Sequence, residues 1–270
     1  MKNDNIVITK ADRRLSRVAK AARAGNSVLR MIALILVLIM LLYGGYSLWN
    51  TIMINKGAFV SDDLLKFKPT GEGDNHLTLD ELLKLNKDAR GWITIDDTSI
   101  DYPIVQGESN ETYLNTDVYG EFALSGSIFL DYRCSPDFSD SYSILYGHHM
   151  DNGAMFGDVV KFLSEEYFNQ HQAGTLYLPA RTYRIQLFAC LEVKEYDNII
   201  YNPFRQNIEK LNILLEDIKA EAVQYRDIEL SKDSQILGMS TCAEAGTDGR
   251  IVLFGRLDKV SQAKNGGNNN

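Results

Sequence analysis

Tyr142-Ser143-Ile144-Leu145-Tyr146-Gly147-His148-His149-Met150 is the stretch on which the reading of this chain turns. Its first five residues are rich in aromatic and branched side chains and read as a short strand. Gly147 then allows the backbone to turn and set an imidazole at the strand end. The matching stretch lies far downstream. Gln235-Ile236-Leu237-Gly238-Met239 is strand-like, Ser240-Thr241-Cys242 follows it, and Arg250 opens the next strand after the loop 243–249. A hairpin of this kind can return Arg250 to the side of Cys242. A thiol, an imidazole and a guanidinium together supply a nucleophile, a proton partner and a charged fork for a developing oxyanion. Each also has a plainer reading: Cys242 as a small buried apolar residue, the histidine pair as a surface turn.

The pattern around these two stretches is of many short strands. Residues 92–95, 101–105, 127–130, 175–178, 183–193 and 250–257 join 142–146 and 235–239, with turn residues between them. One helix precedes the series and two interrupt it. Residues 78–87 form a short one, with Thr78 and Glu81 as a capping box and Leu79, Leu82, Leu83 and Leu85 as its apolar stripe. Residues 154–162 form another. Residues 206–223 form a long one, with Ile208, Leu211, Leu214, Leu215 and Ile218 on one face. The fold class is therefore mainly β: a closed or nearly closed barrel with helical insertions.

The N-terminal part is of another kind. No residue from 31 to 55 is charged, and 31–43 is apolar throughout. As a helix rising ~1.5 Å per residue, this stretch is long enough to cross a hydrocarbon core of ~30 Å. Eight basic and two acidic residues precede Met31, which sets the N-terminus in the cytoplasm and the bulk of the chain outside. Tyr43, Tyr46 and Trp49 suit the outer interface. A cleaved signal peptide is the competing reading, but its apolar core would be shorter and its basic region less extended. The expected organisation is a basic tail at 1–30, a transmembrane signal-anchor at 31–54, a spacer at 55–75, a catalytic domain at 76–260 and a low-complexity tail at 261–270.

Charge excludes one class of partner. The net charge is −8, and the basic tail conceals −14 in the rest of the chain. Nucleic acid is not expected as a partner of so acidic a domain. Three cysteines, Cys134, Cys190 and Cys242, leave at least one free thiol outside the cell, whether or not Cys134 pairs with Cys190. No Cys/His spacing suggests a metal, and no cofactor is expected. His76, where the spacer meets the domain, and His171, in a polar loop, are expected to be solvated.

The chain resembles the sortases, and the class B sortases most closely. The resemblance runs from about residue 78 to 258. Carrying it are residues 146–158, which begin Tyr146-Gly147-His148-His149-Met150, then Ser240-Thr241-Cys242 and Arg250-Ile251-Val252. Gly91-Trp92-Ile93 and residues 125–131 support it, as does the helix before the cysteine strand, which separates class B from class A. The resemblance implies that Cys242 is the nucleophile, that His148 rather than His149 is the catalytic histidine, and that Arg250 rather than Arg256 is the arginine. It also implies that Ser240 and Thr241 contact the substrate. Met239 stands where the family usually has leucine, a nearly volume-conserving change. Ala243 stands where some members are acidic, which bears on substrate choice.

The activity implied is that of a membrane-anchored cysteine transpeptidase. It would cut a secreted protein's C-terminal sorting signal, of the Asn-Pro-X-Thr-Asn or Ser/Asn-Pro-X-Thr-Gly kind, after the threonine. The threonine carbonyl would pass through a Cys242 thioester to an amine of a peptidoglycan precursor, lipid II. The alternatives are a pilus-polymerising sortase using a pilin lysine, a hydrolytic cysteine protease and a non-enzymatic surface adhesin. The absence of a clear third residue orienting the histidine counts against the protease, and no lid segment is evident.

Overall fold

The computed structural model describes residues 10–55, 58–69, 77–242 and 249–260, within which nothing is described of the Asp12, Ile54, Asn55, Leu77, Thr78 and Cys242 side chains. The chain divides into two compact units, residues 1–52 and 53–270.

The first unit is built on a single helix, α1 (Lys10–Asn55). It runs unbroken through the basic stretch and the apolar one. Its apolar side chains, Ile32 to Leu42 among them, are exposed. Among the described residues it is the one helix long and apolar enough to cross a membrane.

The second unit is a barrel. Its strands are β1 (Ala89–Ile95), β2 (Asp101–Val105), β3 (Ile128–Leu130), β4 (Tyr142–His148), β5 (Ala173–Leu178), β6 (Arg181–Lys194), β7 (Gln224–Tyr225), β8 (Gln235–Cys242) and β9 (Gly249–Lys259). The order is β5-β1-β2-β3-β4-β8-β9-β6-β7, and a further pairing of β5 with β6 closes eight strands into a ring, leaving β7 on the β6 edge. Closure removes the edges that an open sheet would expose. Two seams are parallel, β2–β3 and β4–β8; the others are antiparallel.

Alternation along the strands sorts side chains between two faces. Ile93, Ile104, Leu130, Leu145, Leu176, Ile185, Leu237 and Leu253 fill the interior. Ile144, Phe188, Ile236 and Phe254 face the other way and are covered by α5 (Ile208–Glu221) through Leu211, Leu214 and Ile218. Each of these three side chains contributes ~1.5–3 kcal/mol by leaving water. Asn207 caps α5 by accepting from the Lys210 amide at 2.9 Å. Ile208, expected on the buried face, lies at the helix start and is exposed.

Three local expectations are corrected. Leu77 is already helical in α3 (Leu77–Leu85), so Thr78 lies inside the first turn rather than at its cap. The stretch expected as a helix at 154–162 is a 3₁₀ helix (Gly157–Leu163), followed by the short α4 (Glu165–Gln170). Part of the expected spacer packs on the barrel: Ala58 is fully buried, and α2 (Asp62–Leu65), capped by Ser61, buries Leu64 beside Phe67, Leu79, Leu82 and Trp92. Lys68 also pairs with Asp101 at 2.6 Å. Gly57, Gly71, Gly73, His76 and the low-complexity tail lie outside the described residues.

Candidate active site

β4 carries the histidine, but not at a turn. Gly147 and His148 are both within the strand. Gly147 is required by space rather than by backbone freedom. A Cβ there would lie 2.4 Å from Ile128 Cδ1 and 2.8 Å from two ring atoms of Phe156. The close approach holds β4 tight against the segment that follows it, where the Phe156 amide donates to the His148 carbonyl at 3.0 Å.

The parallel seam sets the catalytic candidates side by side. Tyr146, Gly147 and His148 are in register with Ser240, Thr241 and Cys242. Neighbouring strands lie ~4.8 Å apart, so the backbones of His148 and Cys242 are adjacent although distant in sequence. The antiparallel β8–β9 seam pairs Ser240, two residues before Cys242, with Val252, two residues after Arg250. The Thr241 hydroxyl ties the strands where they approach the loop, accepting from the Ile251 amide at 3.2 Å and donating to its carbonyl at 3.4 Å.

His148 Nε2 lies 2.7 Å from the Leu114 carbonyl oxygen. A carbonyl only accepts, so Nε2 carries the proton in this contact and Nδ1 is the nitrogen left to exchange one. Arg250 Nη2 donates to Glu195 Oε2 at 3.1 Å. That contact occupies one of its five N–H donors. Hydrogen bonding from Tyr196, and then the charge and hydrogen bond of Arg250, hold the Glu195 carboxyl below its usual range. Glu195 thus orients the guanidinium and remains ionised beside it.

Beside Arg250 and Glu195 lies a cavity of about 350 Å³, lined by Asn110, Leu114, Tyr146, Tyr201, Ser240 and Arg250 among others. Thr241 also lines it. The Ser240 hydroxyl is 3.0 Å from the Tyr201 hydroxyl. The cavity's polar lining combines hydroxyls and the Arg133 and Arg250 guanidinium groups with the Asn110 amide and the Glu111 and Glu195 carboxylates, a set able to hydrogen-bond an extended peptide.

No protein-family model matches the chain. Sortase B of Listeria monocytogenes is 33% identical over 210 residues, covering 77% of this chain and 84% of the relative. The chain belongs to the class B sortases. It is accordingly a cysteine transpeptidase. Solved structures agree: a Streptococcus pyogenes class B sortase involved in pilus biogenesis aligns with a TM-score of 0.62 and 40% identity, over 66% of this chain and 97% of that one. The Staphylococcus aureus sortase B–substrate complex aligns with a TM-score of 0.64 and 32% identity, over 68% of this chain and 86% of that one.

In this sortase the fold brings Arg250, Ser240 and Thr241 around one cavity, with the backbones of His148 and Cys242 paired at the end of the β4–β8 seam. His149, His171 and Arg256 have partners of their own. His149 lies 3.5 Å from Asp151. His171, expected to be solvated, stacks on Tyr167 at 3.8 Å and bonds its carbonyl. Arg256 donates to Asp258 and Gln186, and to the Glu229 carbonyl. Cys134 and Cys190 are free, buried thiols, not a disulfide, and burial pushes each up to about 12.

Sequence reasoning missed Leu114, Tyr201 and Glu195. The group that orients His148 is a backbone carbonyl, which no search for a third side chain could find. Glu195 follows β6 directly, and β6 pairs with the start of β9 through Val193 and Arg250. Only knowledge of that pairing would have drawn attention to it.

Proposed function

We propose that this sortase sits in the cell membrane through α1, N-terminus in the cytoplasm and catalytic domain outside, and cuts C-terminal sorting signals of secreted proteins. The signal is of the Asn-Pro-X-Thr-Asn or Ser/Asn-Pro-X-Thr-Gly kind, cut after threonine. Cys242 as thiolate attacks the threonine carbonyl, forming the C–S bond. Arg250, oriented by Glu195, stabilises the oxyanion. The C–N bond to glycine or asparagine then breaks, and His148 protonates the departing amine through Nδ1. In the second half an incoming amine attacks the thioester and gives its proton to neutral His148. The C–N bond forms, the C–S bond breaks, and the thiolate is restored. Ser240 and Thr241 contribute to the peptide-binding wall. The acceptor is an amine of the peptidoglycan precursor lipid II.

The observation that supports this reading is the register that pairs His148 with Cys242 across β4–β8, with Arg250 at the start of the neighbouring β9 and lining the adjoining cavity. A second reading of the acceptor has its own support. The S. pyogenes relative, at 40% identity, is involved in pilus biogenesis, which favours a pilin lysine in place of lipid II.

The test is to incubate the full chain in detergent with a panel of quenched sorting-signal peptides, with and without amines. Mass spectrometry follows the products. A thioester on Cys242, lost in Cys242→Ala, and an amide product on adding amine support the transpeptidase and identify its signal. Preference between a peptidoglycan-type amine and a lysine ε-amine separates the two acceptor readings. Free acid as the sole product at high amine concentration would instead indicate hydrolysis.

A further inference from the structure

Asp131 follows β3 directly and is fully buried. A buried carboxylate is costly unless its lone pairs are filled, and this one is crowded with donors. Its Oδ1 accepts from the Arg133 amide and Nε, each at 2.9 Å. Its Oδ2 accepts from Arg133 Nη2 at 2.7 Å, Asn110 Nδ2 at 3.0 Å and the Tyr146 hydroxyl at 3.0 Å. The bonds from Arg133 close a local turn. Those from Asn110 and Tyr146 come from other segments, and both residues line the cavity.

The donors lead to the site by two routes. Asn110 and Leu114 belong to one loop, where the Leu114 amide donates to the Glu111 carbonyl at 3.3 Å; the Leu114 carbonyl meets His148 Nε2. Arg133 also donates to the Tyr201 carbonyl at 2.9 Å, and the Tyr201 hydroxyl meets Ser240. Tyr146 stands two residues before His148 on β4 and stacks on Tyr201, with ring centroids 6.3 Å apart. We infer that Asp131 is a positioning residue of this active site, its carboxylate clamping the Asn110–Leu114 loop and the Tyr201 wall to β4. The inference rests on the transpeptidase reading of Cys242 and His148.

Asp131→Asn keeps the shape but sets an amide group among donors, which loosens both walls. Misplacing reacting groups by ~1 Å costs on the order of 10²-fold, so kcat/KM should fall by about that factor, with KM raised as well as kcat lowered. Tyr146→Phe removes one donor, keeps the ring and should move both constants in the same direction by less. Asp140→Asn is the control: it is an equally buried carboxylate held by Ser135 at 2.6 and 2.7 Å, and lines no part of the cavity.

The experiment measures Tm, kcat and KM of the full chain in detergent, with the Nε2–H signal of His148 in ¹⁵N-histidine spectra, assigned by His148→Asn. The expected result is a lower Tm in Asp140→Asn with KM unchanged. In Asp131→Asn and Tyr146→Phe, KM is raised and the hydrogen-bonded His148 signal is lost or shifted. The inference is overturned if these two variants fold but keep the wild-type kcat, KM and His148 signal. If Asp131→Asn does not fold, Tyr146→Phe decides. Should the wild type form no thioester with any peptide, the transpeptidase reading fails, and the imidazole signal still decides the positioning.

Discussion

Gly147→Ala tests the packing argument at the centre of the site. The added methyl would lie 2.4 Å from Ile128 Cδ1 and 2.8 Å from Cγ and Cδ2 of the Phe156 ring. Both neighbours are buried. The isoleucine terminus can rotate, but the ring is enclosed and cannot withdraw without moving the 154–157 segment. Overpacking of this kind costs ~1–3 kcal/mol. In a domain of this size each kcal/mol lowers Tm by ~2–4 °C, so a fall of about 2–12 °C is expected. The effect on rate should be larger than on stability, because the strand relieves the clash by shifting the residue next to it, His148. A displacement of ~1 Å is enough for a loss on the order of 10²-fold in kcat/KM.

Differential scanning calorimetry and single-turnover acylation of a fluorescent sorting peptide measure the two effects. A second substitution sharpens the test. Ile128→Val deletes the nearest atom and should restore part of the lost Tm in Gly147→Ala, while the ring contact limits the recovery. A Gly147→Ala enzyme that melts with the wild type and acylates at its rate would refute the reasoning. Gly147 would then be dispensable, and the contacts on Phe156 would not govern the position of His148.

Arg250→Lys should slow acylation on the order of 10²-fold, because an ammonium cannot hold Glu195 and still present a planar fork to the oxyanion; rapid-quench acylation measures it. Cys134 and Cys190, each pushed up to about 12 by burial, should escape iodoacetamide in the native enzyme at mildly alkaline pH and react once guanidinium is added, as peptide mass mapping would show. Burial alone would raise the Asp131 carboxyl, but hydrogen bonds from Arg133 and Asn110 hold it below its usual 3.8. Its stabilising contribution is thus complete above the unfolded-state value and is lost as pH falls through the lower folded one. Melting curves in acid should therefore fall more steeply for the wild type than for Asp131→Asn.

The barrel was legible because its strands are short runs rich in aromatic and branched residues, with turn residues between them. The long β6 and the cysteine strand β8 could be recognised from their own residues alone. The elements that escaped are short. β7 has two residues, and α4 is preceded by Ser164, whose side chain makes no capping bond. In α2 the Ser61 cap is ordinary, but four residues carry no period. At the site, the chemistry-bearing side chains announced themselves by type and setting. Their partners did not. Leu114 acts through a carbonyl that every residue possesses. Glu195 and Tyr201 matter because of strands and loops that meet them from elsewhere in the chain. Gly147 was correctly singled out and wrongly explained, since its neighbour Phe156 could not be seen from sequence.

The parallel seam between β4 and β8 also sets an order in time. Parallel neighbours cannot be joined by a tight turn, and here β5, β6, α5 and β7 all intervene. The contact is among the least local in the barrel, and non-local contacts are the slow ones to form. A chain synthesised from its N-terminus presents the imidazole strand well before the thiol strand exists. Until the last two strands dock, neither the sulfur nor the guanidinium has a place beside His148. On the reading proposed above, catalytic competence is therefore acquired at the end of folding, and loss of the C-terminal hairpin removes Cys242 and Arg250 together.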